Sequence, residues 1–280
     1  MSASLLTRRL GSEDETVLRA FWACEAHANL LAISDLDHLG WRDSRLSYTG
    51  WFDGEKLVAY LMLFGGSAQW HYSDACAVPG IATTLEEAEW PVEFVTGLES
   101  TAWPVLGLLK KAKVIRHVRS IIASLSAIRF NLDMIRAVPG VVRQARLTDL
   151  DAITAVHIAA PDQFNQWSYG VRRRILRGVL TDGWRRLYLG QTPAGEVVSA
   201  AQTTAEGKEI AVVAAVVTHP SFRGLGYATA TTACLCAALL EEGKVPYLYY
   251  RRDNAAALRV YQKIGFLPLG DGLLAVLEWG

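Results

Sequence analysis

Pro220-Ser221-Phe222-Arg223-Gly224-Leu225-Gly226-Tyr227-Ala228 is the stretch on which the reading of this chain turns. Before it runs Ile210–Thr218, a valine- and alanine-rich segment with almost no polar position, as expected of a strand buried on both faces. After it the pattern turns helical to about Glu242 and is stopped by Gly243. Two glycines between a strand and a helix let the backbone take positive φ and turn its N–H groups toward one point. The helix start adds unsatisfied N–H groups and the positive end of its dipole. Together these make a nest for a phosphate or pyrophosphate. The alternative is a tight strand-to-helix turn that binds nothing. The loop is not a Walker motif, because no Gly-Lys-Ser/Thr follows. Nor is it a dinucleotide fingerprint, since the third glycine is missing and the strand sits mid-domain.

Working outward, Val245–Tyr250 reads as a strand and Asn254–Ile264 as a helix stopped by Gly265. A strand pair from Phe266 to Trp279 closes the chain. Upstream, Val141–Arg146 reads as a short strand. Asp149 then opens an amphipathic helix with Leu150, Ile153, Val156 and Ile158, ended by Pro161. A second helix spans Tyr169 to Leu180, and a hairpin follows around Thr192-Pro193-Ala194-Gly195. This mixture of strands and helices is an α/β (α+β) order. Pro139-Gly140 is the strongest internal punctuation, which gives two domains, 1–138 and 139–280. In the first, a helical stretch over Glu13–Leu31 precedes a hairpin of Leu46–Trp51 and Lys56–Phe64 around Asp53-Gly54, and Trp103–Leu125 reads as mostly helical. That helix-then-hairpin order echoes the opening of the second half and suggests a related fold in tandem.

The bulk numbers narrow the function classes. A chain of 280 residues that is 51% hydrophobic can fill ordinary cores. Its 28 basic and 28 acidic residues cancel, so no overall field draws it to nucleic acid or to an acidic membrane. Cys24, Cys76, Cys234 and Cys236 make no disulfide framework, and two cysteines two apart on a helix diverge, so no metal site follows. The N-terminus lacks the apolar core of a signal peptide, and no apolar run reaches the roughly 18 residues of a membrane span. The expectation is a cytoplasmic protein, monomer or homodimer, without nucleic-acid or membrane partners.

Arg223-x-x-Gly226-x-Ala228 resembles the Arg/Gln-x-x-Gly-x-Gly/Ala signature of the GNAT acyltransferases, placed as in that family after the fourth strand. Asn254-x-x-Ala257-x-x-x-Tyr261-x-Lys263-x-Gly265-Phe266 is similar to a second segment of the same family at the same spacing. The likeness covers roughly Val141–Gly280. The Gly-Tyr-Ala wording of the loop and the Tyr-Gln-Lys-Ile-Gly-Phe ending look like the subgroup related to glycine N-acyltransferases. The resemblance implies a mixed central sheet flanked by helices, with acetyl-CoA as co-substrate, no metal, and an amine of a small molecule, amino acid or peptide as acceptor. It implies that backbone groups of Val216, Val217 and Thr218 pair with the pantetheine arm as an added strand. The amides of Arg223, Gly224, Leu225, Gly226, Tyr227 and Ala228 would hold the pyrophosphate. Asn254 would bond the pantetheine or cap the last helix, and Tyr261 would lie near the sulfur. No such signature precedes Gly140, so the first half reads as a degenerate or accessory domain that has lost coenzyme binding.

Acyl transfer to an amine needs a deprotonated amine, a stabilised oxyanion and a protonated leaving thiol. Tyr261 is the candidate general acid, since a phenol of pKa near ~10 can reprotonate a thiolate of similar basicity. Ala257, Val260, Tyr261 and Ile264 share a helix face, so a core tyrosine with a satisfied hydroxyl is the plainer reading. A backbone N–H near Val217 would serve the oxyanion. The base is unassigned: Val212 stands where many relatives carry a glutamate, and Glu209, His157, Asp162 and His219 are the other groups at hand. Asp162, Gln163, Asn165, Trp167 and Tyr169 would suit a polar acceptor, and Arg172-Arg173-Arg174 a carboxylate on it, although a solvated face explains the same residues. Two rival readings stand beside the enzyme. One is a non-catalytic acyl-CoA-binding or interaction module. The other is a membrane-surface role for a basic amphipathic helix around Lys110, Lys111, Lys113, Arg116 and Arg119.

Overall fold

The computed structural model describes residues 5–136, 138–160 and 167–280. They divide into two compact units, one made of residues up to Ile122 with Leu269–Gly280, the other of Ala123–Pro268. The division differs from a cut at Pro139-Gly140: the first unit takes back the last residues of the chain, and the second begins at Ala123. Pro139-Gly140 is a bend before a strand inside the second unit. Local punctuation reports where the chain turns, whereas a unit is defined by which strands pair, and that depends on residues distant in sequence.

In the first unit the chain lays down β1 (Leu6–Arg9), α1 (Glu15–Cys24), α2 (Leu30–Leu39) and then β2 (Leu46–Asp53), β3 (Lys56–Phe64) and β4 (Ser67–Tyr72). It continues through α3 (Val78–Glu86), β5 (Phe94–Leu98), α4 (Glu99–Leu106) and β6 (Ala112–Ser124). β1 to β4 form an antiparallel meander, and β4 runs parallel to β5. β3 reads as nearly continuous apolar sequence because both of its faces are covered. Tyr60 and Met62 lie under Leu18 and Trp22 of α1 and Ala32 and Leu36 of α2. Ala59 and Leu61 lie with Trp70, Ile81, Leu85 and Val105 under α3 and α4.

The second unit follows with β7 (Val141–Gln144), α5 (Leu150–Ala159), α6 (Tyr169–Thr181), β8 (Leu187–Gln191) and β9 (Val197–Glu206). Then come β10 (Ile210–Thr218), α7 (Tyr227–Glu241), β11 (Val245–Arg251) and α8 (Ala255–Ile264). β7 to β10 are antiparallel neighbours in order, and β10 is parallel to β11. Beside β11, Leu125 N–H donates to the Pro246 carbonyl at 2.9 Å. Leu187, Leu189 and Ala200 pack under α5 and α6, while Ala201, Ala211, Val213 and Leu248 pack under α7 and α8. Gly265 ends α8 at φ +111°, and a Cβ there would stand 2.0 Å from the Arg129 carbonyl. The glycine of the Gly265-Phe266 pair is therefore fixed by backbone conformation and by backbone approach together.

The chain ends in β12 (Leu267–Trp279), one strand where the sequence suggested a pair. Its residues from Gly272 to Val276 run antiparallel to β5, Gly272 opposite Leu98 and Val276 opposite Phe94. Leu273, Ala275 and Leu277 join the core of the first unit. The largest correction concerns Trp103–Leu125, read as mostly helical. The helix stops at Leu106, and Ala112–Ser124 is strand. Val114, Ile115, Val118, Ile121 and Ile122 fit a helical stripe and a β-branched strand equally, and pairing decides for the strand. The basic amphipathic helix offered for a membrane surface is thereby removed. The stretch Glu13–Leu31 is likewise two helices with a short break between Cys24 and Leu30. Among the described residues no helix is long and apolar enough to cross a membrane.

Leu273 is buried in the core of the first unit. Leu273→Ala is expected to destabilise the protein by about 3 kcal/mol through lost transfer energy and a residual cavity. The accompanying rise in amide exchange should fall on β3, β5 and α3, and exchange confined to α7 and β11 would contradict this placement.

Candidate active site

β10 and β11 pair from Ile210 opposite Val245 to Val213 opposite Leu248, and there the ladder ends. On its other edge β10 stays bonded to β9 as far as Thr218 opposite Ser199. Between Ala214 and Val217 the register shifts, and Ala215 takes φ +49°. That is a bulge with a non-glycine residue in the left-handed region, a conformation that costs on the order of 1–2 kcal/mol. The edge of Ala214–Thr218 that faces β11 is left without a strand partner among the described residues. Val216 leans into the α7/α8 layer and Val217 into the α5/α6 layer. Thr218 Oγ1 and Ser199 Oγ lie 3.2 Å apart.

This open edge leads into the glycine loop. Pro220–Phe222 makes one short turn, in which His219 Nδ1 accepts from the Ser221 amide at 3.3 Å. Arg223 is exposed and folds back, its Nε donating to the Thr218 carbonyl at 3.4 Å. Gly224 takes φ +78° and Gly226 φ +91°. A Cβ on Gly224 would meet nothing within 4 Å, so the loop presents bare backbone to open space there. Gly226 is the N-cap of α7, and the first bond of that helix runs from Ala230 N–H to Gly226 O at 3.0 Å. The amides of Tyr227, Ala228 and Thr229 are the usual unsatisfied donors of a first turn. The Tyr227 side chain is turned away and buried, its hydroxyl donating to the Pro139 carbonyl at 2.9 Å. Only its amide belongs to the loop. Leu225 is exposed.

Asn254 caps α8, its Oδ1 accepting from the Ala257 amide at 3.0 Å. Of the two roles open to it in the sequence, the capping one is thus filled. Tyr261 is 8% exposed, between Tyr250 and Phe266 at ring distances of 5.6 and 5.8 Å. Its hydroxyl donates to no described residue. Burial pushes its phenol well above the usual tyrosine range, with smaller contributions from Cys236 and Tyr250, so it stays protonated across neutral pH.

Val212 is buried and supplies no carboxylate. Glu209 is exposed at the turn before β10, as a solvated residue would be. Of the remaining candidates His157 stands apart. It is 2% exposed, and neither ring nitrogen has a partner among the described residues. Burial, with the positive charge of Arg172 adding to it, pulls its pKa down to about 4. The three arginines divide: Arg172 is buried and lies 5.8 Å over the Trp167 ring, Arg173 pairs with Asp151 at 2.6 Å, and Arg174 is exposed. Tyr169 also bonds Asp151, at 3.3 Å. Asp162, Gln163 and Asn165 lie outside the described residues. Gln202 and Tyr249, which the sequence reading passed over, each carry a buried polar atom without a partner among the described residues. Both sit in strands whose polar residues show no motif, and no signal in the sequence alone marks them.

The first unit has the same topology at the matching place and different chemistry. β4 and β5 pair only from Ser67 to Ala68. The segment after β4 holds Asp74, whose carboxylate accepts from the Cys76 amide at 2.8 Å. A carboxylate therefore occupies the helix entrance that in the second unit is lined by glycine backbone.

With this geometry in hand the comparisons with known proteins become informative. The family model described as FR47-like protein matches residues 189–270, the segment from β8 through the loop, α7 and α8. No curated protein matches the chain. Among solved structures, an acetyltransferase of the GNAT family from Colwellia psychrerythraea superposes with a TM-score of 0.58 at 13% identity, covering 97% of this chain and 99% of that one. A GCN5-related N-acetyltransferase from Kribbella flavida gives 0.57 at 15% identity over 91% and 96%. A tandem GNAT protein from the clavulanic acid biosynthesis pathway gives 0.56 at 16% identity over 99% and 98%. The fold is the GNAT fold. Identities this low carry the likeness of fold, and the chemistry of the site rests on its own residues.

The neutral, buried His157 makes stability depend on pH in a defined direction. Unfolded, its imidazole takes a proton near pH 6.5, whereas folded it does so only near about 4. The unfolded state thus binds more protons between those values, and stability is full above pH 6.5 and falls as pH drops. Urea unfolding at about pH 7.5 and about pH 4.5 should show the wild type losing about 2–3 kcal/mol more than His157→Gln. Parallel losses in the two proteins would count against a buried neutral histidine.

Proposed function

We propose that the second unit binds acetyl-CoA along the parted edge of β10 and transfers its acetyl group to a primary amine. The observation that carries this reading is a single continuous surface. The unpaired backbone of Ala214–Thr218 runs directly into a loop of bare glycine backbone and the open N-terminus of α7. The first part suits an extended amide-bearing chain, which can pair with it like an added strand. The second suits a pyrophosphate, held by amides and by the positive end of a helix dipole. A pantetheine joined to a pyrophosphate has these two parts in this order.

In this reading Val216, Val217 and Thr218 hold the pantetheine through their backbones, and the amides of Arg223, Gly224, Leu225, Gly226, Tyr227 and Ala228 hold the pyrophosphate. Arg223 is exposed at the loop and adds positive charge. Asn254, with Oδ1 committed to its cap, has its amide N–H groups left for the pantetheine. The amine nitrogen attacks the thioester carbon, the C–S bond breaks, and the amine's proton ends, net, on the thiol that leaves. An N–H at the bulge around Val217 serves the oxyanion in this reading. Tyr261, kept protonated by its burial, is the donor to the departing sulfur. The first unit, with Asp74 across its helix entrance, is an accessory domain without coenzyme binding.

The absence of a carboxylate at Val212 favours a second reading, a module that binds acetyl-CoA and transfers nothing. Calorimetric titration separates the possibilities. Acetyl-CoA should bind the wild type at micromolar concentration. Gly226→Asp, a strained side chain with a like charge set in the phosphate nest, should weaken binding by at least about tenfold while the thermal transition remains cooperative. Tyr261→Phe should keep the affinity and lower turnover by about 10²-fold or more. Binding without turnover of any amine would select the module, and no binding by wild type would leave only a shared fold.

A further inference from the structure

Three side chains whose buried polar atoms have no partner among the described residues collect in one layer of the second unit. Gln202 stands opposite Leu187 on β8 and Ala214 on β10. Leu187 packs under α5 and α6, so Gln202 and Ala214 face that side too. Val213 and Leu248, the last pair of the β10–β11 ladder, face α7 and α8. Alternation along β11 therefore returns Tyr249 to the α5/α6 side, one residue past the point where the strands part. Gln202 and Tyr249 thus flank Ala214, whose side chain is a single methyl. α5 covers this face, and His157 lies one turn beyond Ile153 on its buried stripe. Gln202 Oε1, the Tyr249 hydroxyl and both His157 nitrogens are buried, and none has a hydrogen-bond partner among the described residues.

Such groups are destabilising when they are left unsatisfied, and a layer whose cluster is otherwise leucine, isoleucine, valine and alanine had apolar alternatives. Their chemistry is complementary to one kind of ligand. An amide oxygen accepts, a phenol donates, and a neutral imidazole does either. The set offers no carboxylate for a second ammonium, and Gln202 Oε1 opposes an acceptor atom to any anionic head, while Arg172, the buried cation whose charge reaches His157, is engaged over the Trp167 ring.

Resting on the acetyl-transfer reading above, we propose that this layer holds the head of the acceptor, and that the head is a neutral carboxamide-like group rather than a carboxylate, a second amine or an alkyl chain. Gln202 Oε1 takes the N–H of that head and Tyr249 gives a hydrogen bond to its carbonyl. His157 takes a further N–H, and the acceptor's primary amine is left at the parted edge beside Ala215.

Acetylation of glycinamide, glycine and isobutylamine, primary amines of equal size, tests this directly. Wild type should acetylate glycinamide with a kcat/KM at least about tenfold above either of the others, the value of one well-made buried hydrogen bond. Gln202→Leu and Tyr249→Phe should each erase about tenfold of that preference, with the acetyl-CoA dissociation constant unchanged as a check on folding. Equal rates on the three amines, a preference for glycine, no turnover of any by a protein that binds acetyl-CoA, or an intact preference in the double variant would each overturn the assignment. Failure of wild type to bind acetyl-CoA is a different result, and it removes the transfer reading together with this one.

Discussion

The parting of β10 from β11 is the constraint on which the rest of the second unit depends. Two parallel strands that share a ladder satisfy their backbones in each other, so a ladder that stops mid-strand leaves polar groups that need something else. Here the stop coincides with a bulge and with a residue, Ala215, held in the left-handed region. Strain of that kind persists only where surrounding structure over-determines it, and β9 does so by holding β10 on its far edge through Thr218. The loop at Gly224 and Gly226, the start of α7 and the buried polar layer under α5 are all reached from this one fork.

How the two units diverge is a matter of which atom stands at a helix entrance. Both have a strand, a short connection and a helix at the matching place. In the second unit the connection is glycine, and its conformation aims amides outward. In the first unit Asp74 turns its carboxylate onto the Cys76 amide and satisfies from within what the other leaves open. A carboxylate in that position competes with any phosphate for the same donors and repels it by charge. One topology therefore carries an open glycine loop or a closed cap, and a few side chains choose between them.

Much of the second unit was legible in the sequence because its decisive features are local. Ile210–Thr218 announces a strand covered on both faces, and it is one. Gly226 and Gly265 mark positions where only glycine is unstrained, and both have positive φ in the structure. Tyr261 was placed on the buried face of its helix by spacing alone, and it lies there. What could not be read is non-local. Ile115 and Val118 satisfy a helix or a strand until a neighbour pairs with them. Gln202 and Tyr249 acquire meaning only when register places them on either side of Ala214. The pairing of β12 against β5 is non-local in the same way.

That last placement bears on how the molecule comes to be made. A ribosome releases the chain from its N-terminus onward, and domains commonly fold in that order as they emerge. Here the first unit has β1 to β5 in hand early but lacks the strand that covers the outer edge of β5, because Leu269–Gly280 follows only after the whole of the second unit. Until that segment emerges, β5 presents an uncapped edge, with Val95 and Leu98 short of the buried neighbours they have in the finished protein. Completion of the earlier-made unit therefore waits for synthesis of the later one. The nascent protein passes through a period in which that edge must be kept from pairing with another chain.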